Sequence, residues 1–188
     1  MHGWRNQRRG GRIEVICGPM FSGKTEEMLR RLRREQIAGR RPIVLIPPRG
    51  RYEDKIESRQ GEQMAAVASS RACSALQMIQ EYDWGGPYGV VAFDEAQWFD
   101  DLLEATVALA NAGHRVIVAG LDMDYTGRPF LPMALTMGVA EQVTKLTAVG
   151  RCDCEATHTA RVGDGEDEGG TWEPMCRQCW KEACRQGA

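Results

Sequence analysis

The chain has 188 residues, enough for one full domain and a small appended module at roughly 100–200 residues per domain. Apolar residues make up 43%, which excludes wholesale disorder, and the longest strong apolar runs, 90–93 and 116–121, fall far short of the about 20 residues a membrane span needs. The net charge of −2 hides an asymmetry: residues 1–41 hold 11 Lys/Arg against 4 Asp/Glu, a balance of +7, and the remainder carries −9. The basic part suits phosphate, in nucleic acid or in a nucleotide, or is a solvated arginine-rich helix face. Met1-His2-Gly3-Trp4-Arg5 lacks the apolar stretch of a secretory signal, so a cytoplasmic protein is expected.

Residues 1–10 are polar, with Gly and Arg, and read as a loose tail. A strand is predicted over 13–17, a glycine-bounded turn over 18–25, and a helix over about 25–38. Met28, Leu29, Leu32 and Ile37 form the apolar stripe of that helix, with Arg30, Arg31, Arg33 and Arg34 largely off it, and Gly39 stops it. Pro42-Ile43-Val44-Leu45-Ile46 predicts a buried parallel strand. Residues 49–64 are charged and irregular and read as a mobile loop. A short strand over 65–68 precedes a helix capped by Ser69 or Ser70 and running to about Tyr82. After the break at Gly85-Gly86-Pro87, a strand over 89–93 ends in Asp94-Glu95. Asp100 or Asp101 starts a helix through Ala110, and 115–119 is a further strand. A short helix over 132–140 and a strand over 143–148 complete the pattern. Strands alternating with helices imply a parallel sheet with helices on both faces. From Gly150 onward Cys, Gly and acidic residues dominate until a short helix over 178–185, so a module boundary is expected near residue 149.

Gly18-Pro19-Met20-Phe21-Ser22-Gly23-Lys24-Thr25 fits G-x-x-x-x-G-K-[ST] without a gap, between a predicted strand and a predicted helix. Chemistry dictates this spacing. Glycines let the backbone curl so that successive N–H groups converge on one anion. The helix start adds about half a positive charge. Lys24 then serves the β- and γ-phosphates of a nucleotide, and the Thr25 hydroxyl serves Mg²⁺. Asp94-Glu95 sits at a strand end, where active groups collect in parallel sheets. An Asp there holds Mg²⁺, and the adjacent Glu orients or deprotonates a nucleophile; the alternative is a capping pair for the next helix. Phosphoryl transfer has a loose transition state, so Glu95 needs placement more than a shifted pKa.

Five of the seven cysteines (Cys152, Cys154, Cys176, Cys179 and Cys184) fall in the last 37 residues. An odd number without a signal argues against a secreted disulfide framework. Cys152-x-Cys154, then 21 residues, then Cys176-x-x-Cys179 offers four thiolates in two pairs, which suits tetrahedral structural Zn²⁺. The first pair is one residue short of the usual spacing, so Asp153 or His158 stands as a substitute for one cysteine. A redox pair or unligated thiols are the alternatives to a metal. Cys184 is expected to be free, and Cys17 and Cys73 to lie in the core.

The 18–25 stretch, Asp94-Glu95-Ala96-Gln97-Trp98-Phe99 and Val116-Ile117-Val118-Ala119-Gly120-Leu121-Asp122 together resemble the type II, zinc-containing thymidine kinases. Thr144-Lys145-Leu146-Thr147-Ala148 and Gly169-Gly170 with Cys176-Arg177-Gln178-Cys179 extend the resemblance over residues 12–182. It implies an α/β protein with a basic tail (1–11), a RecA-like P-loop domain (12–149) whose parallel sheet is flanked by helices, and a small zinc-binding lasso module (150–188) closing over the nucleoside. The implied reaction is ATP + thymidine → ADP + dTMP, with deoxyuridine as second substrate, Mg²⁺ accompanying ATP, and structural Zn²⁺. By position, Glu95 matches the base that accepts the 5′-hydroxyl proton. Gly18, Pro19, Met20, Phe21, Ser22, Gly23, Lys24, Thr25, Asp94, Glu95, Ala96 and Gln97 match the ATP site. Lys24, Thr25, Asp94 and Arg51 serve phosphate and Mg²⁺. Met20, Trp98, Leu121, Tyr125, Phe130, Thr159 and Trp172 match the nucleoside pocket, and Cys152, Cys154, Cys176 and Cys179 the zinc ligands. A homotetramer, or a dimer, is implied, with no membrane and no nucleic-acid partner.

Several positions depart from the family. Arg49-Gly50-Arg51-Tyr52 stands for Asp-x-Arg-Tyr, and Ser58-Arg59-Gln60-Gly61 for Ser-His-Asp-Gly. Trp98 and Tyr125 stand where Phe is usual, and Trp172 where Tyr is. Trp172 keeps a π-face for stacking. These changes bear on substrate preference and turnover more than on reaction class. Two rival functions compete. A P-loop ATPase with a nucleic-acid-binding zinc module would want that module basic and aromatic; Asp164, Glu166, Asp167, Glu168 and Glu173 make it acidic, and only Arg5, Arg8, Arg9 and Arg12 favour it. A non-catalytic relic is suggested by Arg49 and Arg59-Gln60 and opposed by intact Lys24, Thr25, Asp94 and Glu95. No N-K-x-D guanine-reading stretch is present, which disfavours a GTPase.

Overall fold

A computed structural model describes residues 10–48, 54–81, 89–162 and 171–186. In chain order it has β1 (Arg12–Cys17), α1 (Lys24–Ile37), β2 (Ile43–Ile46), β3 (Lys55–Glu57), β4 (Gln63–Ala65), β5 (Val67–Ala68), α2 (Ser74–Glu81), β6 (Val90–Phe93), α3 (Leu102–Asn111), β7 (Arg115–Gly120), α4 (Leu131–Val139) and β8 (Gln142–Lys145). Then come β9 (Ala148–Val149), β10 (Glu155–Ala156), β11 (His158–Val162), β12 (Thr171–Met175) and α5 (Arg177–Gln186). No helix of the described residues is long and apolar enough to cross a membrane.

Six strands form one parallel sheet in the order β5-β2-β6-β7-β1-β8, the α/β class expected from the alternation of strands and helices. The central strands are unbroken apolar runs because helices cover both faces. Successive side chains point to opposite faces. Val15, Leu45, Val91, Phe93, Val116 and Val118 pack with Leu102 and Leu109 of α3 and Met133 of α4. Ile16, Val44, Ile46, Ala92, Ile117 and Ala119 pack with Met28, Leu29 and Leu32 of α1. The parallel arrangement sends the ends of β1, β6, β7 and β8 to one edge of the sheet, where the candidate site lies.

Glu14 breaks the apolar pattern of β1. Its buried carboxylate accepts hydrogen bonds from Arg12 Nε (2.7 Å), Arg31 Nη1 (3.0 Å), Arg115 Nε (2.8 Å) and Arg115 Nη2 (2.7 Å). Burial pushes the Glu14 pKa up, but the bonds from Arg115 and Arg12 outweigh it and hold it at about 2. Arg31 also donates to Glu27 Oε1 (2.8 Å) and Thr144 Oγ1 (2.9 Å), which ties α1 to the edge strand β8. Arg31 is therefore buried rather than off the buried face, and Ile37, assigned to the stripe, is exposed. A carboxylate on the sheet draws a guanidinium onto the helix face above it, whereas Ile37, nine residues past Met28, falls about half a turn away on the outer side of α1.

Other expectations are corrected by long-range contacts. Within the stretch read as an irregular loop, β3 and β4 form an antiparallel hairpin. The second helix begins at Ser74 rather than at Ser69 or Ser70; Ser69 Oγ instead meets Ser74 Oγ at 2.8 Å. Asp101 makes no side-chain cap to α3. Its carboxylate accepts from Ala72 N (2.8 Å) and Cys73 N (3.1 Å) and so holds the turn leading into α2. The strand expected over 143–148 is split: its first part pairs with β1, with a last bond from Leu146 N to Cys17 O (2.8 Å), while β9 pairs with β10. The cysteine-rich segment carries an antiparallel pair, β11 with β12, that no periodicity announced. Residues 1–9 of the tail, Arg49, Arg51 and Tyr52, Tyr82, the 85–87 break and residues 163–170 lie outside the described residues.

Candidate active site and thiol cluster

The 18–25 turn leaves β1 and enters α1 as its spacing predicts. Gly18 has φ +143°, and a Cβ there would sit 2.3 Å from Leu146 O, so conformation and space both require glycine. Phe21 also has positive φ, +67°, a strained conformation for a bulky residue and one that clusters at functional sites. Pro19 O accepts from Ser22 Oγ (2.9 Å) and Lys24 Nζ (2.7 Å), which keeps the ammonium against the loop. Burial lowers the Lys24 pKa, opposed by the charges of Glu95, Asp94 and Asp122. Arg59, one of the departures from the family, reaches over from the β3–β4 turn. Its guanidinium carbon lies 3.8 Å from the Phe21 ring centre.

Across the sheet edge, Thr25 Oγ1 donates to Asp94 Oδ2 at 3.1 Å, joining the glycine-rich turn to the acidic pair after β6. Burial, reinforced by the charge of Glu95, raises the Asp94 pKa to about 7, against hydrogen bonds from Glu95 N and Thr25. Glu95 is exposed, with φ +48°. Gln97 Nε2 donates to Glu95 Oε2 (2.7 Å), and Gln97 Oε1 accepts from Leu121 N (3.0 Å). Gln97, assigned to the ATP site by resemblance, thus braces Glu95 against the end of β7. The capping alternative for Asp94-Glu95 fails, because neither side chain caps the 3₁₀ turn Ala96–Trp98 or α3.

The residues assigned to the nucleoside gather beyond Glu95. Trp98 and Phe130 meet edge to face, centroids 5.5 Å apart, and Tyr125 and Trp172 lie 5.8 Å apart. Thr159 Oγ1 accepts from Met20 N (3.0 Å), so β11 touches the glycine-rich turn directly. Leu121 is half-buried where β7 ends. Asp122, next in the chain, is buried with Lys145 Nζ 2.6 Å from Oδ2, yet neither carboxylate oxygen has an aligned hydrogen bond among the described residues.

Farther along, the Sγ atoms of Cys152, Cys176 and Cys179 all lie within 4.8 Å of one another. Cys152 Sγ is 3.5 Å from Cys176 Sγ, and Cys179 N donates to Cys176 Sγ at 3.5 Å. A tetrahedral Zn²⁺ with bonds of about 2.3 Å wants thiolates roughly 3.8 Å apart, so the trio suits the ion. Cys154 does not join the trio; its thiol interacts with Cys152. The chain turns sharply between the two cysteines, with Asp153 at φ +56°. Asp153 does not belong to the trio either, and His158 is buried with Nδ1 2.9 Å from Thr157 Oγ1 and its ring on Trp180. Cys17 is buried, Cys73 packs partly against the core and Cys184 is exposed.

The thymidine kinase family model matches residues 11–185. The thymidine kinase of Bacteroides thetaiotaomicron is 40% identical over 185 residues, covering 94% of this chain and 90% of its own length. The chain belongs to the thymidine kinase family. It is therefore one of a family of phosphotransferases. Sequence reasoning singled out neither Asp122 nor Trp180, which lie beside the assigned residues. Asp122 lay inside a recognised stretch, but nothing marked its carboxylate as buried and short of partners. Trp180 follows Cys179 directly, and an aromatic beside a candidate metal ligand was the only signal available. Arg51 and residues 163–170, assigned to a lasso by resemblance, lie outside the described residues.

Proposed function

We propose that this chain transfers the γ-phosphoryl group of ATP to the 5′-hydroxyl of thymidine, giving dTMP and ADP, with deoxyuridine as a second substrate. The observation that carries the reading is the Thr25–Asp94 hydrogen bond of 3.1 Å, which joins the phosphate-binding turn to the acidic pair and sets Glu95 next to it. A transfer site needs all three on one edge: an anion cradle, a metal-holding pair and a base.

The backbone N–H groups of 18–25 and Lys24 hold the triphosphate. Thr25 and Asp94 would hold Mg²⁺, which neutralises charge on the β- and γ-phosphates. Glu95, braced by Gln97, accepts the 5′-hydroxyl proton as the oxygen attacks phosphorus and the bond to ADP breaks. Trp98, Leu121, Tyr125, Phe130, Trp172 and Met20 enclose the base, with Thr159 beside them. Arg51 contacts phosphate. Residues 150–188 act as the lasso module over the nucleoside, stapled by Zn²⁺ on Cys152, Cys176 and Cys179, with Cys154 as fourth ligand. The protein works in the cytoplasm as a homotetramer. In support of assembly, Leu131, Leu135 and Val139 recur at four-residue spacing along α4 and are all exposed.

The deciding experiment is a panel of thymidine, deoxyuridine, deoxycytidine, deoxyadenosine and deoxyguanosine with Mg-ATP, scored for monophosphate. Product mainly from thymidine and deoxyuridine is expected. Product chiefly from another nucleoside would keep the mechanism and overturn the substrate. No product from any would overturn both.

A further inference from the structure

Trp180 lies one residue past Cys179 and touches three separately built parts of the protein. Its own N–H donates to Cys176 O at 3.0 Å, so it shares the helical turn that carries two of the three clustered thiols. Its indole Nε1 donates to Tyr125 O at 3.0 Å. Its ring stacks on His158, with centroids 4.7 Å apart and planes 28° from parallel. It also fills the space over Gly127, where a Cβ would come within 2.7 Å of Cη2. Gly127 has φ +78°, so glycine is needed there for conformation as well as for space.

These contacts converge on the nucleoside side of the site. Tyr125 belongs to a turn closed by Asp124, whose Oδ1 accepts from Thr126 N (2.9 Å) and Arg128 N (2.9 Å). That turn carries the Tyr125 ring to Trp172. His158 precedes Thr159, which accepts from Met20 of the glycine-rich turn. One indole thus fixes the backbone behind Tyr125 and the strand that reaches the phosphate cradle. α5 itself buries none of its described side chains fully; Cys179, Trp180 and Ala183 are its half-buried face. The thiol cluster and Trp180 are accordingly what dock this helix.

We propose that Trp180 is a positioning residue for the nucleoside pocket, transmitting the geometry of the thiol cluster to the Tyr125 turn and to Thr159. This rests on the reading of that pocket as a thymidine site. Binding of a metal by Cys152, Cys176 and Cys179 would fix the first turn of α5, and with it the indole N–H that holds Tyr125. Loosening that bond shifts nucleoside affinity more than ATP affinity, because the phosphate cradle keeps its own bonds from Ser22, Lys24 and Thr25.

The test uses two variants of the full chain. Trp180→Phe keeps a ring but removes the N–H. Gly127→Ala pushes on the same ring from the other side and leaves Trp180 and every cysteine in place. Zinc per chain by atomic absorption, kcat, and KM for thymidine and for ATP are measured in each. Without the N–H the Tyr125 turn is loosened in the free protein, and re-ordering it on binding costs about the worth of one neutral hydrogen bond, which predicts a thymidine KM raised about 3- to 10-fold. The zinc content and the ATP KM should match wild type, and kcat should change less than about twofold. Both variants break one contact, so the double variant should be less than the product of the two. An unmoved thymidine KM in both variants would overturn the proposal. So would parallel rises in both KM values, or zinc loss accompanying the effect, which mark a merely structural role. If Trp180→Phe fails to fold, Trp180→Tyr, which keeps a polar-tipped ring but lacks the indole N–H, replaces it, because Gly127→Ala also strains the Tyr125 turn directly. A wild-type protein that phosphorylates no nucleoside would bring down the reaction reading and this inference together; an active wild type with unmoved variants brings down only the inference.

Discussion

Replacing Glu14 by Gln removes one charge from a place where three guanidinium groups meet. The carboxylate accepts four N–H groups, two from Arg115 and one each from Arg12 and Arg31. An amide has a single acceptor oxygen, so at least two of those donors lose their partner while Arg31 stays buried and charged. Holding Glu14 at about 2 rather than its ordinary 4.5 corresponds to roughly 3 kcal/mol at neutral pH. Removing one partner of a buried pair costs about 3–5 kcal/mol by an independent route. The two estimates agree, and a loss of about 3 kcal/mol in urea unfolding at pH 7 is expected. A depressed pKa gives stability that is complete above the unfolded value of 4.5 and is lost as pH falls toward about 2. The gap between wild type and variant should therefore narrow through that window. Catalytic constants should be unaffected wherever both proteins are folded, because Glu14 contacts no residue of the site. A gap at pH 7 below about 0.5 kcal/mol, or one that stays constant as the pH falls, would refute the reasoning.

Further predictions concern the site. Glu95→Gln should lower kcat by about 10²- to 10⁴-fold with the ATP KM little changed; a kcat equal to wild type in steady-state assays would sink the base assignment. Cys176→Ser should abolish stoichiometric zinc measured by atomic absorption, whereas Cys154→Ser, outside the trio, should retain more metal; equal loss from both would show that the fourth thiol counts as much as the three. Gly120→Ala would set a Cβ 2.8 Å from Gln97 Oε1 and 2.9 Å from Met133 Sδ. It should cost about 1–3 kcal/mol of stability by overpacking and lower kcat by displacing the side chain that braces Glu95. Unchanged melting and turnover would show that Gln97 gives way freely.

The glycine-rich turn was legible from sequence because its requirements are local. A loop that must present consecutive N–H groups and a positive φ needs glycine at fixed spacing, whatever surrounds it. The sheet was legible for a similar reason, since strands buried on both faces must be apolar throughout. Positions decided by remote partners were not legible. Arg31 is buried because Glu14 lies on a strand beneath it. Asp101 holds the turn before α2 instead of capping its own helix, because Ala72 N and Cys73 N come within reach only in the folded chain. The short C-x-C spacing left the place of one thiol open between cysteine, Asp153 and His158, and tertiary structure gathers Cys152, Cys176 and Cys179, since thiol convergence depends on where β12 and α5 bring the second pair. Trp180 was silent for the same reason: an indole hydrogen bond to Tyr125, 55 positions away, exists only once α5 has packed against the rest of the folded chain. Residue type and local spacing thus determined the reaction-bearing turn and the layers around it, while the long-range approach of charged and aromatic side chains decided how the site is held.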